Sequence, residues 1–258
     1  MEARVDGKVA LVTGASRGIG QATALELVTS GAEGVVITGR KPEGLESAIV
    51  AMIDAGAPAS RLHAVVAKAD NDDDAARAVE ETLDRFGACD ILVNNAGTNP
   101  SAGNLMDVDM GAVDKTWAVN QRAPLVWTRA VWHAWMSVHG GSVVNVASVG
   151  GVRPSPIIGA YNISKAALIH LTHQLAFELA PTVRVNAVAP GVVKTRLSEL
   201  LWKSDEAASA STHPLHRLGE PEDVAKAITY LCSDAGSWLT GVVLPVDGGV
   251  VGATGTLG

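Results

Sequence analysis

A doubly wound α/β architecture is the fold class this sequence predicts: a single domain on a parallel sheet of about seven strands, with helices on both faces. Three observations lead there. Short β-branched runs alternate along the chain with longer stretches of helical apolar spacing. Runs such as Ile91-Leu92-Val93 and Val143-Val144-Asn145-Val146 are apolar toward both faces, as in strands buried between two helical layers. The length, 258 residues with 47% hydrophobic and 18% charged side chains, fits the upper end of one domain and supports a sizeable core without disulfide or metal.

Strands are expected at residues 8–13, 34–38, 62–67, 90–93, 142–146, 183–188 and 242–246, with helical spacing at 19–30, 45–55 and 73–86. No fixed-period repeat, low-complexity tract or linker interrupts the pattern, so residues 1–258 read as one unit. Residues 191–218 form a long polar stretch without an obvious element, and a loop of that length in a compact α/β domain is often a lid or binding loop. In such a sheet, ligands bind beyond the carboxyl ends of the strands. The unusual polar or glycine-rich residues fall at those ends: 14–20 after the first strand, Arg40 after the second, Asp70 after the third, 94–97 after the fourth, Ser148 after the fifth, and Pro190 with Gly191 after the sixth.

Lys+Arg number 20 against Asp+Glu 27, a net charge of −7, which argues against a general nucleic-acid binder. No apolar run reaches the roughly 18 residues of a membrane span. The opening MEARVDGKVALVTGA carries Glu2 and Asp6 and lacks the apolar core of a signal peptide. Cys89 and Cys232 are far apart without metal-ligand spacing, so a reducing, cytoplasmic setting is expected. The terminal Thr256-Leu257-Gly258 is not a peroxisomal address.

The segment Thr13-Gly14-Ala15-Ser16-Arg17-Gly18-Ile19-Gly20 joins a strand to a helix. Glycines there allow a tight turn and close approach of backbone to a pyrophosphate, and the helix N-terminus offers free N–H groups and the positive dipole end. The second strand ends in Thr38-Gly39-Arg40-Lys41, with no acid to hold a ribose 2′-hydroxyl. A guanidinium from Arg40, aided by Arg17, suits a 2′-phosphate, so NADP(H) is expected, with NAD(H) the alternative.

Tyr161 and Lys165 stand at i and i+4 and share a helix face. A tyrosine is a poor acid or base near neutrality, and a neighbouring ammonium is expected to lower its pKa. Ser148, on the loop after the fifth strand, can offer a hydroxyl to a substrate carbonyl. Asn120 lies in a helical stretch four residues before Pro124. Proline donates no N–H, so the Asn120 carbonyl loses its helical partner and a kink there leaves it free to hold a water.

These motifs together resemble the short-chain dehydrogenase/reductase family. TGASRGIG, Asn94-Asn95-Ala96-Gly97, Asn120, Ser148, the Tyr161-Asn162-Ile163-Ser164-Lys165 box, Ala189-Pro190-Gly191 with Thr195, and Val246-Asp247-Gly248-Gly249 occur in the family's order over essentially the whole chain. The resemblance implies hydride transfer coupled to a proton relay. Tyr161 would protonate the carbonyl oxygen, Ser148 would hold it, and Lys165 would bind the nicotinamide ribose and tune Tyr161. Asn120 would support a water linked to Lys165. Asp70 and Asn71 would flank the adenine, and Asn94, with Ala96 and Gly97 beside it, would brace the cofactor. Val193 and Thr195 would grip the carboxamide, and the helices carrying Trp117 and Tyr161 would pack in a homo-oligomer, a tetramer or dimer. Segments around Arg153–Lys165 and Ala189–Trp202 resemble NADPH-dependent carbonyl reductases. The general motif set also resembles 3-oxoacyl-carrier-protein or 3-oxoacyl-CoA reductases, while the acidic net charge disfavours docking an acidic carrier. A non-catalytic NADP-binding sensor is the reading from another class, and the intact Ser148, Tyr161 and Lys165 set argues against it.

Other signals carry less. Asp70 to Asp74 with Glu81 imitates a calcium-loop spacing, but Ala75 stands where the turn needs glycine, and acids at Asp72–Asp74 suit a helix start. His170 and His173 lack a third metal ligand. Asn162-Ile163-Ser164 is a glycosylation triplet, which without a signal peptide carries no weight. Trp117, Trp127, Trp132 and Trp135 fit core or self-association. Leu197, Leu200, Leu201, Trp202, Pro154, Pro156, Ile157 and Met106 suggest an apolar pocket, hence a hydrophobic small-molecule carbonyl or alcohol.

Overall fold

The structure is a computed structural model, and it describes residues 3–252. Glu2 and the terminal Thr256-Leu257-Gly258, on which two of the sequence readings rest, lie outside the described residues. Seven strands form one sheet in the order β3-β2-β1-β4-β5-β6-β7. They are β1 (Val9–Val12), β2 (Gly34–Gly39), β3 (Leu62–Val66), β4 (Ile91–Asn94), β5 (Gly141–Val146), β6 (Val183–Pro190) and β7 (Val243–Val246). Every pairing is parallel, so all carboxyl ends point one way. The strand order reverses between β1 and β4, the crevice position of a dinucleotide-binding sheet.

The period-two alternation divides β1 between two cores. Ala10 and Val12 pack with helices α1 (Gly18–Thr29) and α2 (Pro42–Asp54), through Leu27, Leu45 and Met52. Leu11 packs on the other face with α3 (Asp72–Phe86). That second face is completed by α4 (Met110–Trp117), α5 (Ala123–Val131), the short α6 (Ser137–His139) and the long α7 (Gly159–Leu179). The first is closed by α10 (Pro221–Cys232), whose Val224, Ile228 and Leu231 are fully buried.

Boundaries agree with the expectation to within three residues at each end, except in the stretch 191–218. It is not structureless: it holds α8 (Glu199–Trp202) and α9 (Glu206–Ser211), too short to show helical periodicity. The start of α3 is as expected, Asp72 to Asp74 filling its first turn, while Asn71 caps it by accepting the Asp74 N–H at 2.9 Å. Among the described residues no helix is long and apolar enough to cross a membrane, and no group of His, Cys, Asp or Glu could hold a metal ion.

The far end of the sheet is tied by Arg184 on β6. Its guanidinium donates to the Leu231 carbonyl at 2.7 Å and to those of Gly236, Leu239, Cys232 and Ser233, gathering the carbonyls at the C-terminus of α10. A cation suits that helix end, and its loss orphans several acceptors. Arg184→Met is expected to lower unfolding free energy by about 2–4 kcal/mol. Urea melts of the two proteins measure this.

Candidate active site

The glycine loop and the loop after β4 interlock, and this sets the floor of the site. The Thr13 hydroxyl accepts the N–H groups of Asn95 and Ala96 at 3.0 and 3.1 Å. Asn95 in turn donates from Nδ2 to the carbonyls of Thr13 and Gly14 at 2.8 and 3.0 Å. The fit leaves no room for side chains: a Cβ on Gly14 would stand 2.8 Å from Ala96 Cα, and one on Gly20 would stand 2.3 Å from Asn95 Nδ2. Gly14 and Gly18 also hold left-handed φ values of 64° and 58°, which favour glycine.

The N-terminus of α1 is uncapped by any side chain and has no acid in its first turn. Its free N–H groups therefore face the crevice beside a loop stripped of side chains, an environment suited to a phosphate-bearing dinucleotide. Ser16 packs against Gly39 and Gly44, which brings this loop to the end of β2. Arg17, Arg40 and Lys41 are exposed there, and among the described residues none of the three is held in an ion pair. On the opposite side, a Cβ on Gly18 would meet the Thr195 methyl at 3.3 Å, so the turn after β6 reaches over the glycine loop.

Lys165 is almost wholly buried and donates from Nζ to the Val146 carbonyl at 2.7 Å. That bond fixes the start of α7 to the end of β5. Gly97 lies alongside: a Cβ there would be 3.7 Å from both Lys165 Nζ and Asn120 Oδ1. Burial pulls the Lys165 ammonium down to about 8. Its Nζ stands 5.6 Å from the centre of the Tyr161 ring. The Tyr161 phenol lies above its ordinary pKa, because burial raises it more than the Ser148 hydroxyl, hydrogen-bonded to it, lowers it. The expected lowering by Lys165 is thus not what governs the phenol here; loss of solvent dominates.

Ser148 is held by its own turn, accepting the Gly150 N–H at 3.1 Å. Asn162 sits where a side chain on Gly150 would be, its Oδ1 only 2.2 Å from such a Cβ. Asn162 Nδ2 also donates to Ser155 Oγ at 2.9 Å. Ile157, one of two non-glycine residues with positive φ among those described, passes its carbonyl to the Gly103 N–H at 2.8 Å. Residues 101–106 and 153–158 are thereby joined beside Tyr161, and Met106 and Ile157 remain exposed, as do Leu197, Leu200 and Leu201 of the 191–218 stretch.

Asn120 falls in a π turn, Ala118–Arg122, where the Ala123 N–H reaches the Ala118 carbonyl. Pro124 underlies this widening, since it has no N–H to continue the α ladder. The buried Asn120 side chain accepts the Thr98 N–H at 2.8 Å and donates to the Thr98 carbonyl and Ser164 Oγ at 2.9 and 3.0 Å.

Other expected site residues stand apart from this cluster. Asn94 is buried and donates to Asn145 Oδ1 at 2.9 Å, so it braces strand against strand. Asp70 is paired with Lys115, which keeps its carboxyl below the usual carboxylate range. Asn71 is occupied as the cap of α3. Pro190 ends β6, and the Gly191 N–H donates to the Val246 carbonyl. His170 and His173 meet edge to face at 6.5 Å. The tryptophans divide: Trp127 is core, its Nε1 donating to the Ala69 carbonyl at 2.9 Å, whereas Trp117 is half exposed. Sequence reasoning missed Asn95, Asn162 and Ser198. Ser198 bonds to Val193, Thr195 and Trp202, and only its place after the Thr195 turn hinted at that role.

A parallel sheet reversing at β1/β4, a glycine loop at a helix N-terminus, and a Ser–Tyr–Lys cluster define an oxidoreductase that uses a nicotinamide dinucleotide. Residues 14–251 match a family model described as Enoyl-(Acyl carrier protein) reductase. The chain is 42% identical over 245 residues to "Dehydrogenase/reductase SDR family member 4" of Homo sapiens, covering 94% of this chain and 87% of that protein. It is 37% identical over 253 residues to the protein of the same name in Caenorhabditis elegans, covering 96% of each. Among solved structures it superposes on a short-chain type dehydrogenase/reductase from Mycobacterium ulcerans with TM-score 0.90 and 34% identity, covering 96% of this chain and 90% of that one. A "Short-chain dehydrogenase/reductase SDR:Glucose/ribitol dehydrogenase" from Brucella melitensis gives TM-score 0.89 and 31% identity, covering 97% and 99%. The chain belongs to the short-chain dehydrogenase/reductase family of oxidoreductases.

The buried ammonium makes a prediction about stability. Lys165 titrates at about 8 in the folded chain against 10.5 when free. Below 8 both states carry the proton and the folded state bears the full burial cost. Between 8 and 10.5 the unfolded state binds more protons, so stability rises with pH, by about 3 kcal/mol in all. Unfolding free energies measured at pH 7.5 and 10 are expected to converge toward those of Lys165→Met at the higher pH.

Proposed function

We propose that this chain transfers hydride between NADP(H) and the carbonyl or secondary alcohol of a hydrophobic small molecule, with Tyr161 as the acid/base. The observation that supports it most is the meeting of Tyr161, Ser148 and the buried Lys165 at the carboxyl edge of the sheet. When bound, the nicotinamide supplies hydride in reduction and accepts it in oxidation. The residues suited to hold the dinucleotide are Gly14, Ser16, Arg17, Gly18, Ile19 and Gly20 at the phosphates, and Arg40 with Arg17 at a 2′-phosphate. Asp70 and Asn71 flank the adenine, and Asn94, Ala96 and Gly97 form the wall behind the cofactor. Pro190, Gly191, Val193 and Thr195 complete the carboxamide end.

In reduction, the Tyr161 phenol gives its proton to the carbonyl oxygen as charge builds there, and the Ser148 hydroxyl donates to the same oxygen. Lys165 uses one of its three N–H donors on Val146, leaving two for a ribose hydroxyl and for stabilising the phenolate once the proton has left. Asn120 fixes Thr98 beside Lys165, and its carbonyl in the π turn is assigned to a water that returns the proton. Residues 191–218 form the substrate loop. Exposed Met106, Ile157, Leu197 and Leu200 favour an apolar substrate over a charged one. Free, buried Cys89 and Cys232 fit a cytoplasmic setting.

Turnover of a carbonyl panel, free ketones beside 3-oxoacyl thioesters, tests this reading with each cofactor. Tyr161→Phe is expected to lose at least about 100-fold in kcat while NADPH still binds. Arg40→Asp is expected to weaken NADPH about tenfold or more and favour NADH. Binding without turnover of any carbonyl would point to a sensor. Preference for thioesters would point to an acyl-carrier or CoA substrate, and unchanged cofactor preference in Arg40→Asp would remove NADP(H).

We also propose a homo-oligomer, a tetramer or dimer. Trp117 of α4 and Ile163 and Phe177 of α7 are 47%, 47% and 84% exposed, on helices packed side by side. Sedimentation is expected to give a multiple of 26.5 kDa, and a monomer at working concentration would discard the proposal.

A further inference from the structure

His213 plays no part in the chemistry above, yet it is the one buried histidine among the described residues. It follows α9 and is wedged among three parts of the chain. Its Nδ1 lies 3.0 Å from the Ser209 carbonyl of α9. Its Nε2 accepts the Val192 N–H, from the turn after β6, at 3.4 Å. Gly248, beyond β7, lies against the ring: a Cβ there would stand 3.6 Å from His213 Cδ2. Next door, the Leu215 N–H donates to the Gly248 carbonyl.

The two partners dictate the ring's proton. A carbonyl can only accept and a backbone N–H can only donate, so Nδ1 carries hydrogen and Nε2 a lone pair. A second proton on the ring would set Nε2–H against the Val192 N–H. The Val192 turn is otherwise held by Gly219, which donates to the Val192 carbonyl and accepts the Lys194 N–H, each at 2.9 Å. Lys194 adds a second, ionic link between the turn and α9, at 2.8 Å to Glu206 and 3.1 Å to Glu220. That link is partly exposed and open to screening, whereas the imidazole is sealed.

We propose that His213 is a positioning residue: its ring ties α9 of the substrate loop to the Val192–Thr195 turn and holds that turn in place. The proposal rests on the reading that Val193 and Thr195 hold the carboxamide. The groups meeting the ring from α9, from the turns after β6 and β7 and from its own segment are Ser209, Val192, Gly248 and Thr212, none of them charged. Charged groups on those elements are the Lys194, Glu206 and Glu220 cluster and Asp247, whose oxygens accept the Gly249 and Val251 N–H groups. On the segment of His213 itself, Arg217 is paired with Asp223, and His216 is exposed.

The test uses the full chain, NADPH binding followed by fluorescence at pH 7.5, and amide exchange at Val192 without cofactor. His213→Leu is expected to weaken NADPH about tenfold at pH 7.5 and to speed Val192 exchange in the unliganded protein. His213→Gln, which keeps one acceptor and one donor, is expected to recover affinity to within about threefold. His213→Gln is likewise expected to return Val192 exchange toward the wild-type rate. Affinity not recovered in His213→Gln, or unchanged Val192 exchange in His213→Leu, would overturn the proposal. Should His213→Leu fail to fold, His213→Asn, which keeps a donor for the Ser209 carbonyl but is too short to reach the Val192 N–H, takes its place with the same losses expected. Should wild type bind no nicotinamide dinucleotide, the cofactor reading falls and the Val192 exchange still judges the link.

Discussion

A lysine ammonium taken out of water needs compensation, and among the described residues the Val146 carbonyl is the one hydrogen-bond partner of Lys165. Much of the site is arranged around that fact. The bond draws the first turns of α7 against the end of β5, which brings Tyr161 to Ser148. The close approach of Gly151 to the Lys165 backbone, where a Cβ would stand 2.7 Å from its carbonyl carbon, is the same constraint seen from the loop side. Two N–H donors are left without a partner among the described residues, an incomplete hydrogen-bonding set that an incoming hydroxyl can finish. The cost of burial and the capacity to bind are thus one property of the same nitrogen.

The parallel sheet explains why so many separate segments meet there. With every strand running the same way, each loop after a strand emerges on one edge, and the reversal between β1 and β4 parts the helices to leave a crevice. The loops then brace one another: Thr13 with Asn95, Asn120 with Thr98, Asn162 with the Ser148 turn and Ser155. These contacts use amide and hydroxyl side chains that reach two backbones at once. Rigidity comes from short polar bridges, while Met106, Leu197, Leu200 and Leu201 stay exposed around the rim.

The strands were readable because burial on both faces writes a nearly unbroken apolar run, and the glycine loop because close packing excludes side chains at fixed places. Tyr161 and Lys165 were readable from helix spacing, and Ser148 from its place after β5. The orientation of polar side chains was not. Asn94 and Asn95 are adjacent and identical in type, yet Asn94 turns into the sheet and Asn95 onto the glycine loop, a matter of strand alternation at the last residue of β4. The phenol's raised pKa was hidden as well, since desolvation depends on what the 3-D packing excludes. The short α9 is held by a local cap, Asp205 accepting the Ala208 N–H, and both it and α8 carry too few turns for a pattern to emerge.

The π turn at Ala118–Arg122 has a further consequence for how this helical stretch tolerates change. A widened turn holds one residue more than an α turn, and each residue advances an α-helix by about 100°. The α4 half buries Val113 and Thr116, and the α5 half buries Trp127 and Val131; the extra residue brings both faces into phase with the sheet. Loss of a single amino acid anywhere between Trp117 and Ala123 would rewind the segment and turn α5 out of register with β4 and α3. Point changes can therefore accumulate on the outside of this segment, while its length is held constant by the geometry on either side.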